Sequence, residues 1–343
     1  MVNEHYVQRS YLRLFSPANE SVISRYSLVE KHGGGDYYDP IDRFSVENAA
    51  STENYADGLF ESNETTRAEK AMVESLRKID NGSDLSEEDI ANISQFIVFQ
   101  RDRSPKAKTF HRLRHEIFQA AGVPVEADWE SIIEIDSQER YEGFQFMGWR
   151  VIENKTDLSF FTSDSPVVMY QDEHPDKTVF DELQFTGKEV FCPISTDKLL
   201  LLLDPNTFNI EPQFPSTEIS RLELNDTQEV WKYNFLQGIN AFHEIFGPVG
   251  YGEKLESMIE TLCERFPDDD YIRGNRWDTD RILDAQRYGF REATDRPDQL
   301  TIPPEEREVI TASKKVADAP WMYKHKISLI SQLRREEPVD NYW

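Results

Sequence analysis

The sequence predicts an α+β protein: a central, mainly antiparallel sheet flanked by N-terminal and C-terminal helices. Two observations predict it. Apolar residues recur with helical spacing early and late in the chain, and with extended spacing in between. The extended stretches are short and joined by tight turns, which suits an antiparallel meander rather than crossover units. With 343 residues, of which 38% are hydrophobic, the chain can bury a sizeable core. Three regions follow: an N-terminal signature and helical region (1–140), a sheet region (141–215) and a C-terminal helical region (216–343). They are expected to form one compact unit or two tightly packed lobes.

Each element has its own reason. Residues 5 to 15 place Tyr11, Leu12 and Phe15 on one face of a short helix, with Arg9 and Arg13 four apart. "SVISRYSLVEK" reads as a strand, and "HGGGDYYDP" as a turn and loop. Helical spacing holds over 64–79, and "NGSDL" breaks it. "DLSEEDIANISQFIVFQRDR" is a second helix, capped by Ser86 with Asp89 three residues on. A third helix is expected from about 106 to 121, ended by Gly122 and Pro124. Five strands are expected next, in "GFQFMGWRVIEN", "LSFFTSD", "PVVMYQ", "KEVFCPIS" and "KLLLLLD". The last, apolar on both faces, belongs in the middle of a covered sheet. "NDTQEVWKYNFLQGINAFHEIFG" and "GEKLESMIETLCERF" read as helices, and a last one is expected over 321–335.

The net charge is −26, from 64 acidic and 38 basic residues. Only 15 of the basic residues are Lys, against 23 Arg. Scarce lysine beside abundant carboxylate points to a high-salt cytoplasm, where salt screens self-repulsion. The plainer alternative is an acidic protein of ordinary salt. Two cysteines, Cys192 and Cys263, support no disulfide framework. No apolar run reaches 18 residues and no signal-peptide pattern is present, so a cytoplasmic protein without a membrane partner is expected.

Several stretches together resemble one family. "HYVQRSYLRLFS" is similar to the opening signature of the DUF4238 family, a His-Tyr, often a Pro, then Tyr-Leu-x-x-Phe; here Gln8 stands where proline is common. "FIVFQRDRSP" resembles its Gln-x-x-Arg helix end, with Gln100 and Arg103. "FFTSDSPVV" resembles its Thr-Ser-Asp-x-Pro segment, "FCPIS" its next strand, and "YNFLQGINAFHEIF" its late helix, with Asn234 at the asparagine. The matches run in order from about residue 3 to 247. The family is one of unknown function, so the resemblance implies a fold and candidate residues but no chemistry.

Those candidates are His5, Arg9, Gln100, Arg103 and Asp164 as catalytic groups. Asp164 closes an apolar strand at a turn, where a carboxylate ligates a metal, orients a base, or simply satisfies turn backbone. His5 and Arg9, four apart, are expected to share a helical face. Histidine moves protons or binds metal near neutral pH, and arginine clamps phosphate or pairs with a buried acid. Asp164 and His5 are the candidate ligands for a divalent metal ion. Tyr6, Ser163, Ser165 and Asn234 are supporting candidates, because a buried amide such as Asn234 needs partners.

The stretch "RDRSPKAKTFHRLRH" reverses the local charge, with Arg101, Lys106, Lys108, Arg112 and Arg114 beside Arg103. It reads either as a nucleic-acid or phosphate contact, or as cations anchored within the molecule. "HRLRH" lacks the glutamate of the zincin pattern, and no GK[ST] follows the three glycines.

Two function classes remain. The one the sequence favours is an enzyme acting on a phosphate substrate, such as a metal-dependent nuclease of a defence or mobile-element system. The other is a noncatalytic nucleic-acid-binding or scaffold protein whose His, Arg and Asp residues form a structural network. An open hollow joining His5, Gln100, Arg103 and Asp164 would distinguish the first from the second.

Overall fold

The computed structural model describes residues 3–28, 40–53, 55, 63–108, 143–171, 188–213 and 215–265. It is an α+β protein. Eleven strands are described: β1 (Asn3–His5), β2 (Val22–Ser27), β3 (Ile41–Ser45), β4 (Ser51–Glu53), β5 (Gly148–Asn154), β6 (Thr162–Ser163), β7 (Val168–Gln171), β8 (Lys188–Pro193), β9 (Lys198–Leu203), β10 (Ser220–Leu224) and β11 (Glu244–Gly247). The described helices include α1 (Arg9–Leu12), α2 (Asn63–Asn81), α3 (Glu87–Asp102), α4 (Pro205–Phe208), α5 (Thr227–Asn240) and α6 (Gly252–Arg265).

The meander expected from the sequence forms most of a five-stranded sheet in the order β10-β5-β9-β8-β7. Its pairings are antiparallel except at the edge, where β10 runs parallel to β5. The leucines of β9 divide as strand alternation requires. Leu200 and Leu202 join one apolar cluster with α2, α3 and the N-terminal segment. Leu199 and Leu201 join the other, with α5 and α6. The sheet is therefore covered on both faces, which is why β9 is apolar throughout.

Three differences from the sequence reading have physical reasons. First, β6 leaves the meander for a second, four-stranded sheet of order β3-β2-β11-β6. Second, residues 5–15 are not one helix. Asn3–His5 pair with Ser51–Glu53 as strands, and only Arg9–Leu12 are α-helical, followed by a 3-10 turn over Arg13–Phe15. His5 and Arg9 therefore share no helical face. Third, the late helix stops at Asn240, and Glu244–Gly247 pair with β2 and β6. Apolar residues at 241, 242, 245 and 246 fit a helical stripe as well as a strand buried on both faces, so spacing alone could not separate them.

The second long helix begins as read: the Ser86 side chain accepts from Asp89 N, and the Asp89 carboxylate accepts from Ser86 N. Where α5 and α6 meet, Gly238 allows the approach; a Cβ there would stand 3.1 Å from both Leu262 and Met258. The third helix lies almost wholly outside the described residues, and so does the one expected over 321–335.

Candidate functional site

The N-terminal segment is pinned from three sides by buried polar groups. Gln100, on the last turn of α3, is fully buried. Its Nε2 donates to Tyr6 O at 2.8 Å, and its Oε1 accepts from Gln8 N at 3.4 Å. The side-chain amide thus pairs with the segment as a neighbouring strand would. The Tyr11 hydroxyl donates to Pro193 O at 2.7 Å and lies 2.8 Å from Thr162 Oγ1, fastening the segment to both sheets. His5 Nε2 donates to Glu47 O at 3.1 Å.

A further anchor is a residue the sequence reading missed. Glu244, on β11, is buried, and both its oxygens are engaged. One accepts from the Tyr6 hydroxyl at 3.3 Å and from Ala50 N at 2.9 Å. The other pairs with Arg25 Nη2 at 2.5 Å. The Arg25 guanidinium also lies 4.5 Å from the centre of the Phe44 ring. Burial, with the Glu244 and then the Asp164 carboxylate close by, pushes the Tyr6 hydroxyl well above its ordinary pKa. The available signal was a lone carboxylate inside the apolar run "AFHEIFG".

Asp164 is fully buried at the end of β6. Its Oδ1 accepts from Phe242 N at 2.7 Å and its Oδ2 from His243 N at 2.5 Å, while its own N–H donates to Glu244 O at 3.0 Å. These bonds satisfy the backbone where α5 gives way to β11. Burial pushes the neighbouring His243 imidazole down to about 4.

Asn234 proves to be one of three. Asn234, Gln237 and Asn240 recur every third residue on one face of α5, all buried. Asn234 bonds Phe161 N (2.8 Å) and Ser159 O (3.0 Å). Gln237 accepts from Ser163 Oγ at 3.0 Å and donates to Pro166 O at 2.7 Å. Asn240 donates to the Ser165 and Val167 carbonyls. The Ser-Asp-Ser-Pro turn is held along its length by this row. Ser163 Oγ also accepts from Ser165 N at 3.2 Å, and the buried Ser165 hydroxyl has no hydrogen-bond partner among the described residues.

Two candidates remain, one exposed and one enclosed. Arg9 is on the surface, where it and Arg13 grip Glu47 at 2.8 and 2.5 Å. Arg103 is 1% exposed, pairs with Glu69, and stacks 4.9 Å from the Phe99 ring centre. The five catalytic candidates therefore do not converge on an open hollow: Arg9 faces solvent through Glu47, while His5, Gln100, Arg103 and Asp164 are enclosed.

The cations of the 101–108 stretch likewise turn inward. Arg101 bonds Asp102 at 2.8 Å. Lys106 is buried and donates to Asn240 Oδ1 at 3.1 Å. Lys108 lies 4.4 Å above the Tyr55 ring. Arg112 and Arg114 lie outside the described residues. Among the described residues no group of three or more His, Cys, Asp or Glu side chains could hold a metal ion. The two cysteines are free, and burial pushes the Cys192 thiol up to about 12. No described helix is long and apolar enough to cross a membrane.

The network coincides with a recognised sequence pattern. The model of the family described as "Protein of unknown function (DUF4238)" matches residues 3–248, from β1 to just past β11. No curated protein and no solved structure matches the chain.

Proposed function

As the chain belongs to the DUF4238 family, whose description gives no activity, its own residues must supply a reading, and we propose that it is a noncatalytic scaffold protein whose signature residues hold the fold together. One observation carries this. All four carboxylate oxygens of Asp164 and Glu244 already accept hydrogen bonds from the protein's own N–H and O–H groups. A metal ligand or general base needs an oxygen directed at a metal, water or substrate. A nucleic-acid contact is favoured less, because Arg103 and Lys106 are spent on Glu69 and Asn240.

The test uses the full chain in molar KCl with Mg2+ or Mn2+, and single- and double-stranded DNA and RNA as substrates. No cleavage is expected, while Asp164→Asn lowers Tm. Metal-dependent cleavage that is lost in Asp164→Asn at unchanged Tm would overturn the reading and restore a phosphate-substrate enzyme.

A further inference from the structure

The chain holds one Asn-Gly pair, Asn81-Gly82, and it closes α2. Such a pair has chemistry of its own. The main-chain nitrogen that follows an asparagine can attack the side-chain carboxamide carbon, and glycine brings no Cβ to hinder the approach. Asn81, Gly82 and Ser83 are all exposed. A Cβ placed on Gly82 would meet no described residue closer than Arg221 Nη2, at 4.0 Å. No neighbouring side chain therefore crowds the pair.

The fold holds the reaction back. Gly82 takes the left-handed conformation (φ 68°) that ends a helix as a Schellman motif. Its N–H, the attacking group, donates to Ile79 O at 3.1 Å, and Ser83 N–H donates to Lys78 O at 2.8 Å. Arg221, on β10, braces the same turn. Its Nη2 donates to Ile79 O at 2.9 Å, while its Nη1 donates to Glu153 at 2.7 Å. While these bonds last, the Gly82 nitrogen is engaged and Asn81 keeps helical backbone angles. Fraying of the last turn releases both. We propose that Asn81 is a self-modification site gated by fraying at the end of α2. A bond forms between Gly82 N and Asn81 Cγ, the bond from Cγ to Nδ2 breaks, and Nδ2 leaves as ammonia with the Gly82 amide proton. Water then opens the cyclic imide to aspartate or isoaspartate. Either product adds a negative charge at the negative end of the α2 dipole, between Asp80 and Asp84. Isoaspartate also lengthens the backbone inside the turn that leads to α3.

Peptide mapping by mass spectrometry tests this. It follows the one-dalton gain at residue 81 in the full chain and in a synthetic peptide of residues 78–86, both held at mildly alkaline pH. The full chain is expected to convert, but ~10-fold more slowly than the peptide, because only the frayed fraction reacts. Arg221→Ala should speed conversion ~5-fold, the loss of about one hydrogen bond to the turn. Asn81→Gln, an exposed change, should abolish the gain at that position and leave Tm unaltered. No gain in the full chain by the time the peptide has fully converted would overturn the proposal. So would conversion at the peptide's own rate, or a folded Arg221→Ala chain that converts no faster than the unsubstituted one. Because this turn shares no residue with the Tyr6, Asp164 and Glu244 network, either result leaves the scaffold reading to its own test.

Discussion

The Tyr6 hydroxyl lies 3.3 Å from a carboxylate oxygen of Glu244, two residues 238 positions apart in the chain. Around that bond, Arg25 and Ala50 N complete the coordination of the carboxylate. Breaking a buried ion pair from one side leaves the other charge uncompensated. Glu244→Gln is therefore expected to lower stability by about 3–5 kcal/mol, and Tyr6→Phe by about 1 kcal/mol. Chemical denaturation measures both. Arg9→Ala, at a surface pair, serves as the control, with a loss of about 1 kcal/mol or less.

Asp164→Asn replaces one accepting oxygen with an N–H2 that faces a main-chain N–H. The buried mismatch is expected to cost about 2–4 kcal/mol, because a donor is left unsatisfied and two donors are brought together. A thermal melt followed by circular dichroism reads the loss. A Tm equal to that of the unsubstituted protein would show that the two N–H bonds from Phe242 and His243 contribute nothing.

His243 should shape the acid limb of stability. Its folded pKa of about 4 lies below the ordinary 6.5, so the unfolded chain takes up a proton that the folded protein refuses. Stability from this group is complete above pH 6.5 and declines as pH falls towards about 4, by roughly 3 kcal/mol in all. His243→Gln should flatten that window. Asp89 acts lower. Burial alone would raise its pKa, but bonds from Lys78, Ser86 and Ser75 outweigh burial and hold it at about 2. Its contribution should disappear only between about pH 4 and pH 2. Tm measured at half-unit pH steps separates the two.

The high-salt reading of the composition predicts a rising Tm as KCl goes from 0.1 M to 2 M, since the 64 carboxylates then repel one another less. A flat or falling Tm would favour the plainer acidic protein.

Where local chemistry decides the outcome, the sequence was readable. The Ser86 and Asp89 capping pair, the doubly covered leucines of β9 and the partnered Asn234 all follow from spacing and composition. What could not be read depends on pairing between distant segments. Nothing in "NEH" announces a strand until Ser51–Glu53 lies beside it. Gln237 and Asn240 complete a three-residue repeat of amides with Asn234, a signal present in "NFLQGIN" but meaningful only once the Ser-Asp-Ser-Pro turn is known to pack there. Four-residue spacing puts two residues on a shared face only inside a helix, and the chain enters its helix after His5, so His5 and Arg9 do not share one.

The placement of β11 has a consequence for synthesis. β2 emerges from the ribosome early, yet its partner at Glu244–Gly247 is translated more than two hundred residues later. β3 can pair with one edge of β2 at once, but until then the other edge and the Tyr6 hydroxyl lack their partner, and such long-separated contacts slow folding and leave strand edges open to wrong neighbours. A nascent chain stalled before residue 244 should therefore be protease-sensitive through its first fifty residues and resist digestion only after β11 has cleared the exit tunnel.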